Sequence, residues 1–217
     1  MNPRRALILV DIQNDFLPGG ALAVPAGDEV VAVANALIPY FGIVAATQDW
    51  HPATHSSFAA NHPGRVPGDR IDLNGLPQVL WPVHCVENRH GSEFASALLL
   101  PANAVVVRKG TDVDVDSYSG FYDNGRRHAT TLEAKLRELG VAELTVMGLA
   151  TDYCVKYTVL DALRLGFSVS VVREGCRAVN LNPGDGDAAE AEMQTAGAHL
   201  VSLTDALNLA EKAGRQA

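Results

Sequence analysis

The chain has 217 residues, of which 47% are hydrophobic and 19% charged, and its formal net charge is −8. That length suits one large α/β domain whose core needs no disulfides. The acidic balance excludes a nucleic-acid partner, because no surplus of Lys and Arg exists to neutralise phosphates. With no apolar run near the ~20 residues that span a bilayer, a membrane partner is excluded too.

The N-terminus reads Met1-Asn2-Pro3-Arg4-Arg5, then a short apolar run, Ala6–Val10, that stops at Asp11. A secretory segment would be longer and end in small residues, so the run reads as a first strand and the protein as cytoplasmic. Three cysteines, Cys85, Cys154 and Cys176, fit free thiols in a reducing compartment better than a disulfide framework.

Strand-like runs then alternate with helical spacing. Asp28–Tyr40 has apolar residues at helical intervals, and Ile43–Ala46 and Ala104–Val107 read as the second and third strands. Thr131–Leu139 is a helix stopped by Gly140, Leu144–Met147 a fourth strand, and Asp152–Leu165 a helix stopped by Gly166. Val169–Val172 is a fifth strand, Asp187–Ala196 a helix closed by Gly197, and Leu200–Leu203 a sixth strand. Thr204 is placed to cap a last helix, Asp205–Lys212. Apolar strands alternating with helices predict an α/β fold: a single domain over 1–217 with a six-stranded parallel sheet and helices on both faces, in three α/β/α layers. An insertion at about 49–91, rich in Pro and Gly, breaks the rhythm and carries histidines at 51, 55, 62, 84 and 90.

Ligands of open parallel sheets bind at the carboxyl ends of the strands. Asp11 ends the first strand, Asp49 lies just past the second, Lys109 just past the third, and Cys154 follows the fourth in the first turn of a helix. A cysteine alone is more often structural, and a lone Lys or Asp more often solvated. Their shared edge changes the balance. A helix N-terminus, with Thr151 as its cap, and a nearby lysine favour thiolate, while a carboxylate can carry the proton. Backbone N–H groups of the same turn can hold an oxyanion.

Asp49 and His51 stand two apart in an extended segment and so share a face. With His84 they form a donor set that suits Zn²⁺, Fe²⁺ or Mn²⁺, and His55 and His62 are further candidates. Asp112, Asp114 and Asp116 imitate a calcium loop but lack the glycine at its sixth position and the glutamate at its twelfth, so they read as a solvated acidic loop. The turn after the first strand has no G-x-G-x-x-G, which disfavours a dinucleotide cofactor.

Several segments carry a resemblance that runs through most of the chain: Asp11-Ile-Gln-Asn-Asp-Phe16, Thr47-Gln-Asp-Trp-His-Pro52, Trp81-Pro-Val-His-Cys85, Arg108-Lys-Gly110, Tyr118-Ser-Gly-Phe121 and Gly148-Leu-Ala-Thr-Asp-Tyr-Cys-Val155. The chain resembles the nicotinamidases of the isochorismatase-like cysteine hydrolase superfamily. The resemblance implies hydrolysis of nicotinamide to nicotinate and ammonia in NAD salvage, with activity on pyrazinamide. It implies Cys154 as nucleophile, Asp11 as proton carrier and Lys109 as their support. It further implies a metal on Asp49, His51 and His84, and an oxyanion hole from the Ala150 and Cys154 N–H groups with a cis peptide before Thr151. Phe16, Leu22, Trp81, Tyr118 and Tyr153 would wall the ring pocket. Where some members use an extra histidine or glutamate as ligand, this chain offers His55, read as a partner beside the ligands. Competing readings are a related hydrolase of N-carbamoyl or similar small amides, a metallohydrolase whose bound water attacks, and a non-catalytic binding protein. A homo-oligomer is left open.

Overall fold

The computed structural model describes residues 4–214; Met1, Asn2 and Pro3, which open the N-terminal reading above, lie outside it, as do residues 215–217. Six strands form one sheet: β1 (Arg4–Val10), β2 (Val44–Asp49), β5 (Val105–Lys109), β6 (Val141–Leu149), β7 (Ser168–Arg177) and β8 (His199–Val201). All neighbours pair in parallel, in the order β5-β2-β1-β6-β7-β8. The central strand explains why: Ala6 to Val10 are buried on both faces, so helices must cover both.

Those helices are α1 (Glu29–Leu37), α2 (Leu132–Glu138), α3 (Lys156–Arg164), α4 (Asp185–Thr195) and α5 (Leu203–Gly214). α1 packs with α5, and α3 with α4. Right-handed crossovers put α1 on one face, because the chain steps from β1 to β2 in one direction, and α2, α3 and α4 on the other, because it then returns and runs the opposite way. The reversal falls between β1 and β6. That switch point is where an open parallel sheet leaves a crevice at its carboxyl edge. None of these helices is long and apolar enough to cross a membrane, among the described residues.

Elements stand where the sequence places them, with four differences. β2 and β5 run further than their apolar runs, continuing through polar residues to Asp49 and Lys109, whereas the sixth strand stops at Val201 and Leu203, read as its end, opens the last helix. The helix expected over Asp152–Leu165 opens with a wider π-type turn, Thr151–Val155, preceded by Ala150. Thr151 therefore starts the turn and does not cap it. The last helix is capped by Ser202, not Thr204: its Oγ accepts the Asp205 N–H at 3.1 Å and donates to the Asp205 carboxylate at 2.6 Å. The insertion also holds a hairpin, β3 (Arg70–Leu73) and β4 (Leu76–Val79). Its turn is Asn74-Gly75, both with positive φ (54° and 84°), a pair that favours such hairpins and was legible in the sequence.

Gly148 shows how tightly β1 and β6 approach. Its φ is 131°, and a Cβ there would lie 2.1 Å from the Val10 carbonyl oxygen. Gly148→Ala is expected to cost about 4 kcal/mol or more of stability. Thermal unfolding would read this, and an unchanged midpoint would contradict the register Val10↔Gly148.

Candidate active site

The four residues expected at the sheet edge meet there. Asp11 follows Val10 with a left-handed φ of 50°, which turns its side chain under the end of the sheet. It is wholly buried; Thr47 Oγ1 donates to its Oδ1 at 2.6 Å, and the Lys109 ammonium lies 2.9 Å from Oδ2. That second contact is close enough for an ion pair but lacks the direction of a hydrogen bond, so Oδ2 keeps a free lone pair. Lys109 closes β5 and is buried. Its Nζ reaches Asp49 Oδ1 at 2.5 Å, the Ser117 carbonyl at 2.8 Å and Cys154 Sγ at 3.3 Å. An oxygen of Asp11, an oxygen of Asp49 and Cys154 Sγ all lie within 4.8 Å of one another. Cys154 comes from the turn after β6, so the nucleophile candidate and its carboxylate flank the switch point.

Electrostatics here differ from the sequence reading in one respect. A helix start and a lysine were expected to lower the thiol pKa. Burial instead pushes the Cys154 thiol well above its usual range, and the charges of Asp11 and Asp49 add to this against Lys109. The resting sulfur is therefore protonated. Burial also raises the Asp11 carboxyl, with Lys109 opposing. For Lys109, burial alone would favour the neutral amine, but the two carboxylates hold it charged well above its ordinary value.

A second group adjoins the first. Asp49 Oδ2 is 3.5 Å from His51 Nε2 and 3.8 Å from His84 Nε2. His51 Nδ1 lies 2.8 Å from the Gly110 carbonyl, and His84 Nδ1 2.8 Å from that of Pro82. A carbonyl oxygen only accepts, so each Nδ1 carries a proton, and each ring turns its Nε2 toward the Asp49 carboxylate. One ligand atom from each of these three buried residues lies within 4.8 Å of the others, and a carboxylate with two imidazoles is a donor set that fits a divalent metal. Gln13 fixes the Asp49 backbone: its Oε1 accepts the Asp49 N–H and its Nε2 donates to the Asp49 carbonyl, both at 2.8 Å. His55 stacks on His51 at 4.3 Å, and its Nδ1 accepts the Ser57 N–H at 3.2 Å. Burial pushes its pKa down to about 4, and its Nε2 has no hydrogen-bond partner. His62 is turned away, its Nε2 2.8 Å from the Ser56 carbonyl.

A small cavity of about 30 Å³ opens beside Cys154. Phe16, Leu22, Trp81, Tyr118 and Tyr153, the expected ring walls, all line it, together with Asp49, His84 and Ala150. Trp81 meets Tyr153 edge-on at 4.8 Å, and its Nε1 donates to Tyr118 Oη at 3.2 Å. The non-proline cis peptide lies between Leu149 and Ala150, one bond before the position expected. Two lining residues escaped the sequence reading, Val179 and Asp116. Asp112 and Asp114 are exposed, as a solvated loop requires, but Asp116 turns inward and is buried. Nothing local marks it, since its two neighbours in the D-x-D-x-D run are solvated.

Comparison with known proteins identifies the family. The model of the isochorismatase domain family matches residues 5–205. A nicotinamidase of Escherichia coli is 55% identical over 207 residues, 94% of this chain and 97% of that protein. The structure of a nicotinamidase/pyrazinamidase from Acinetobacter baumannii superposes with a TM-score of 0.90 at 42% identity, covering 94% of this chain and 99% of that one. A pyrazinamidase of Pyrococcus horikoshii in complex with zinc gives a TM-score of 0.76 at 39% identity, covering 92% and 99%. A parallel sheet with a buried thiol, ammonium and carboxylate at its switch point, matched over nearly its whole length, places this chain in the isochorismatase family.

Proposed function

We propose that this protein is a nicotinamidase, hydrolysing nicotinamide to nicotinate and ammonia in NAD salvage and accepting pyrazinamide as well. One observation carries the reading: Cys154 Sγ, the Lys109 ammonium and the Asp11 carboxylate share one buried cluster beside a cavity walled by aromatic rings. Such walls suit a flat heteroaromatic ring. The likeness to the Escherichia coli nicotinamidase and the Acinetobacter baumannii nicotinamidase/pyrazinamidase supports the substrate class.

The chemistry follows from the charges. Asp11, with a free lone pair on Oδ2, takes the Cys154 proton, and the sulfur attacks the carboxamide carbon as the C=O electron pair moves onto oxygen. N–H groups of Ala150 and Cys154 hold that oxyanion. When it collapses the C–N bond breaks, Asp11 returns its proton to the nitrogen, and ammonia leaves a thioester. Asp11 then takes a proton from water, whose oxygen attacks the thioester carbon, and the sulfur leaves and is reprotonated. Lys109 offsets the negative charge on sulfur and carboxylate throughout.

Asp49, His51 and His84 would hold a divalent ion, Zn²⁺, Fe²⁺ or Mn²⁺, and the zinc complex of the Pyrococcus horikoshii pyrazinamidase supports this assignment. When bound, such an ion supplies a Lewis acid that orients the pyridine nitrogen directly or through its water. Three free cysteines suit a reducing cytoplasm.

Ammonia release from nicotinamide by the purified protein tests the activity, and no release above background would refute it. Asp49→Asn is expected to lower bound metal to about a tenth or less, since it removes the anionic donor of the set. Elemental analysis reads this apart from turnover; full metal content in the variant would place the ion elsewhere.

A further inference from the structure

Asp116 is 4% exposed and lines the same cavity as Cys154. Its Oδ1 accepts the Ser117 N–H at 2.7 Å and its Oδ2 accepts Gln78 Nε2 at 2.8 Å. Neither bond brings a charge, and no Lys or Arg pairs with it among the described residues; the ring nitrogens of His51 and His55 lie within 4.8 Å of one of its oxygens. The one ammonium nearby, Lys109, is engaged by Asp11 and Asp49. The carboxylate is also rigidly set. The Ser117 carbonyl accepts from Lys109 Nζ, the Asp116 carbonyl accepts the Asn124 N–H at 2.8 Å, and Tyr118 is locked by Gln78 and Trp81. Burying a carboxylate without a paired cation is costly. Here that cost falls in the wall of a cavity otherwise made largely of aromatic and apolar groups.

Resting on the amidase reading above, we propose that Asp116 sets the charge preference of this pocket: it disfavours an anionic ring ligand and so hastens departure of the carboxylate product. The reaction turns a neutral carboxamide into a carboxylate while the ring stays the same. Aromatic walls hold substrate and product alike, so they cannot favour release. A fixed negative charge in a poorly solvated wall separates the two, because it repels only the product. Asp116 is thus a specificity residue for the proposed reaction; it moves no proton and forms no covalent bond.

The test measures product inhibition. Nicotinate and the uncharged ring 3-methylpyridine are used as competitors against nicotinamide hydrolysis, in the wild type, Asp116→Asn and Asp116→Glu, with bound metal determined for each. In Asp116→Asn the ratio of the nicotinate to the 3-methylpyridine inhibition constant is expected to fall about tenfold, the scale of one unscreened charge in a partly buried site. In Asp116→Glu that ratio is expected to stay within about twofold of the wild type, because the charge is kept. Should Asp116→Asn fold poorly, Asp116→Ser makes the same charge change with a smaller side chain that still accepts the Ser117 N–H. Equal shifts for both competitors would make Asp116 a matter of shape and overturn the proposal. So would an unchanged ratio in both neutral variants, or loss of bound metal, which would assign Asp116 to the cation site. A wild-type protein that releases no ammonia would fail the activity itself, a separate result obtained before any variant is made.

Discussion

Cys154→Ala is expected to lower the rate of ammonia release from nicotinamide by roughly 10⁴-fold or more, as for removal of the nucleophile in other covalent hydrolases. The variant should still bind the ring, because the aromatic walls Phe16, Trp81, Tyr118 and Tyr153 are untouched. Equilibrium binding of nicotinamide separates the two effects. A metallohydrolase, with a bound water as nucleophile, would keep most of its rate in this variant, and that result would end the thioester mechanism. The charge state of the thiol adds a second readout. Burial and two carboxylates keep the sulfur protonated in the resting enzyme, and it is 7% exposed. Alkylation by iodoacetamide should therefore be slow at neutral pH and quicken as pH rises, since thiolate is the reactive form. Rapid alkylation at pH 6 would contradict the cluster as described.

Lys109→Met should remove both activity and much of the stability. The ammonium stands between Asp11 and Asp49, and none of the three has appreciable contact with water. Taking one partner out of a buried ionic cluster leaves uncompensated charge, which typically costs about 3–5 kcal/mol. Two carboxylates are left here, so the upper end is expected. Catalysis should fall by roughly 10³-fold or more, since Lys109 also contacts the sulfur. Urea unfolding at pH 7 measures the first effect and ammonia release the second. The sign with pH follows from the shifts. Lys109 is held charged well above its ordinary 10.5, so its pairing is fully present through neutral pH and is lost only as pH rises beyond that value. A variant as stable as the wild type would mean that the carboxylates are already neutral.

Much of this protein was legible without coordinates, and the reason is local. Ala6–Val10 and Ile43–Ala46 are apolar on both faces, which only strands covered by helices tolerate, so the layered sheet follows from composition and period. The chain order of those runs also puts Asp11, Asp49, Lys109 and Cys154 at one sheet edge. Short polar runs hid the rest. β2 and β5 continue into Thr47-Gln-Asp and Arg108-Lys, where no hydrophobic period marks a strand. The insertion hairpin was announced only by Asn74-Gly75.

What the sequence by itself determined is therefore the fold and the set of candidate reacting groups at one sheet edge: each depends on residue type and spacing along one segment. Packing decided the rest. The protonated state of Cys154, the Nδ1 protons of His51 and His84, and the inward turn of Asp116 arise from segments distant in the chain. Desolvation and Coulomb energies are set by what surrounds a group in three dimensions, and those neighbours converge only when the sheet is assembled.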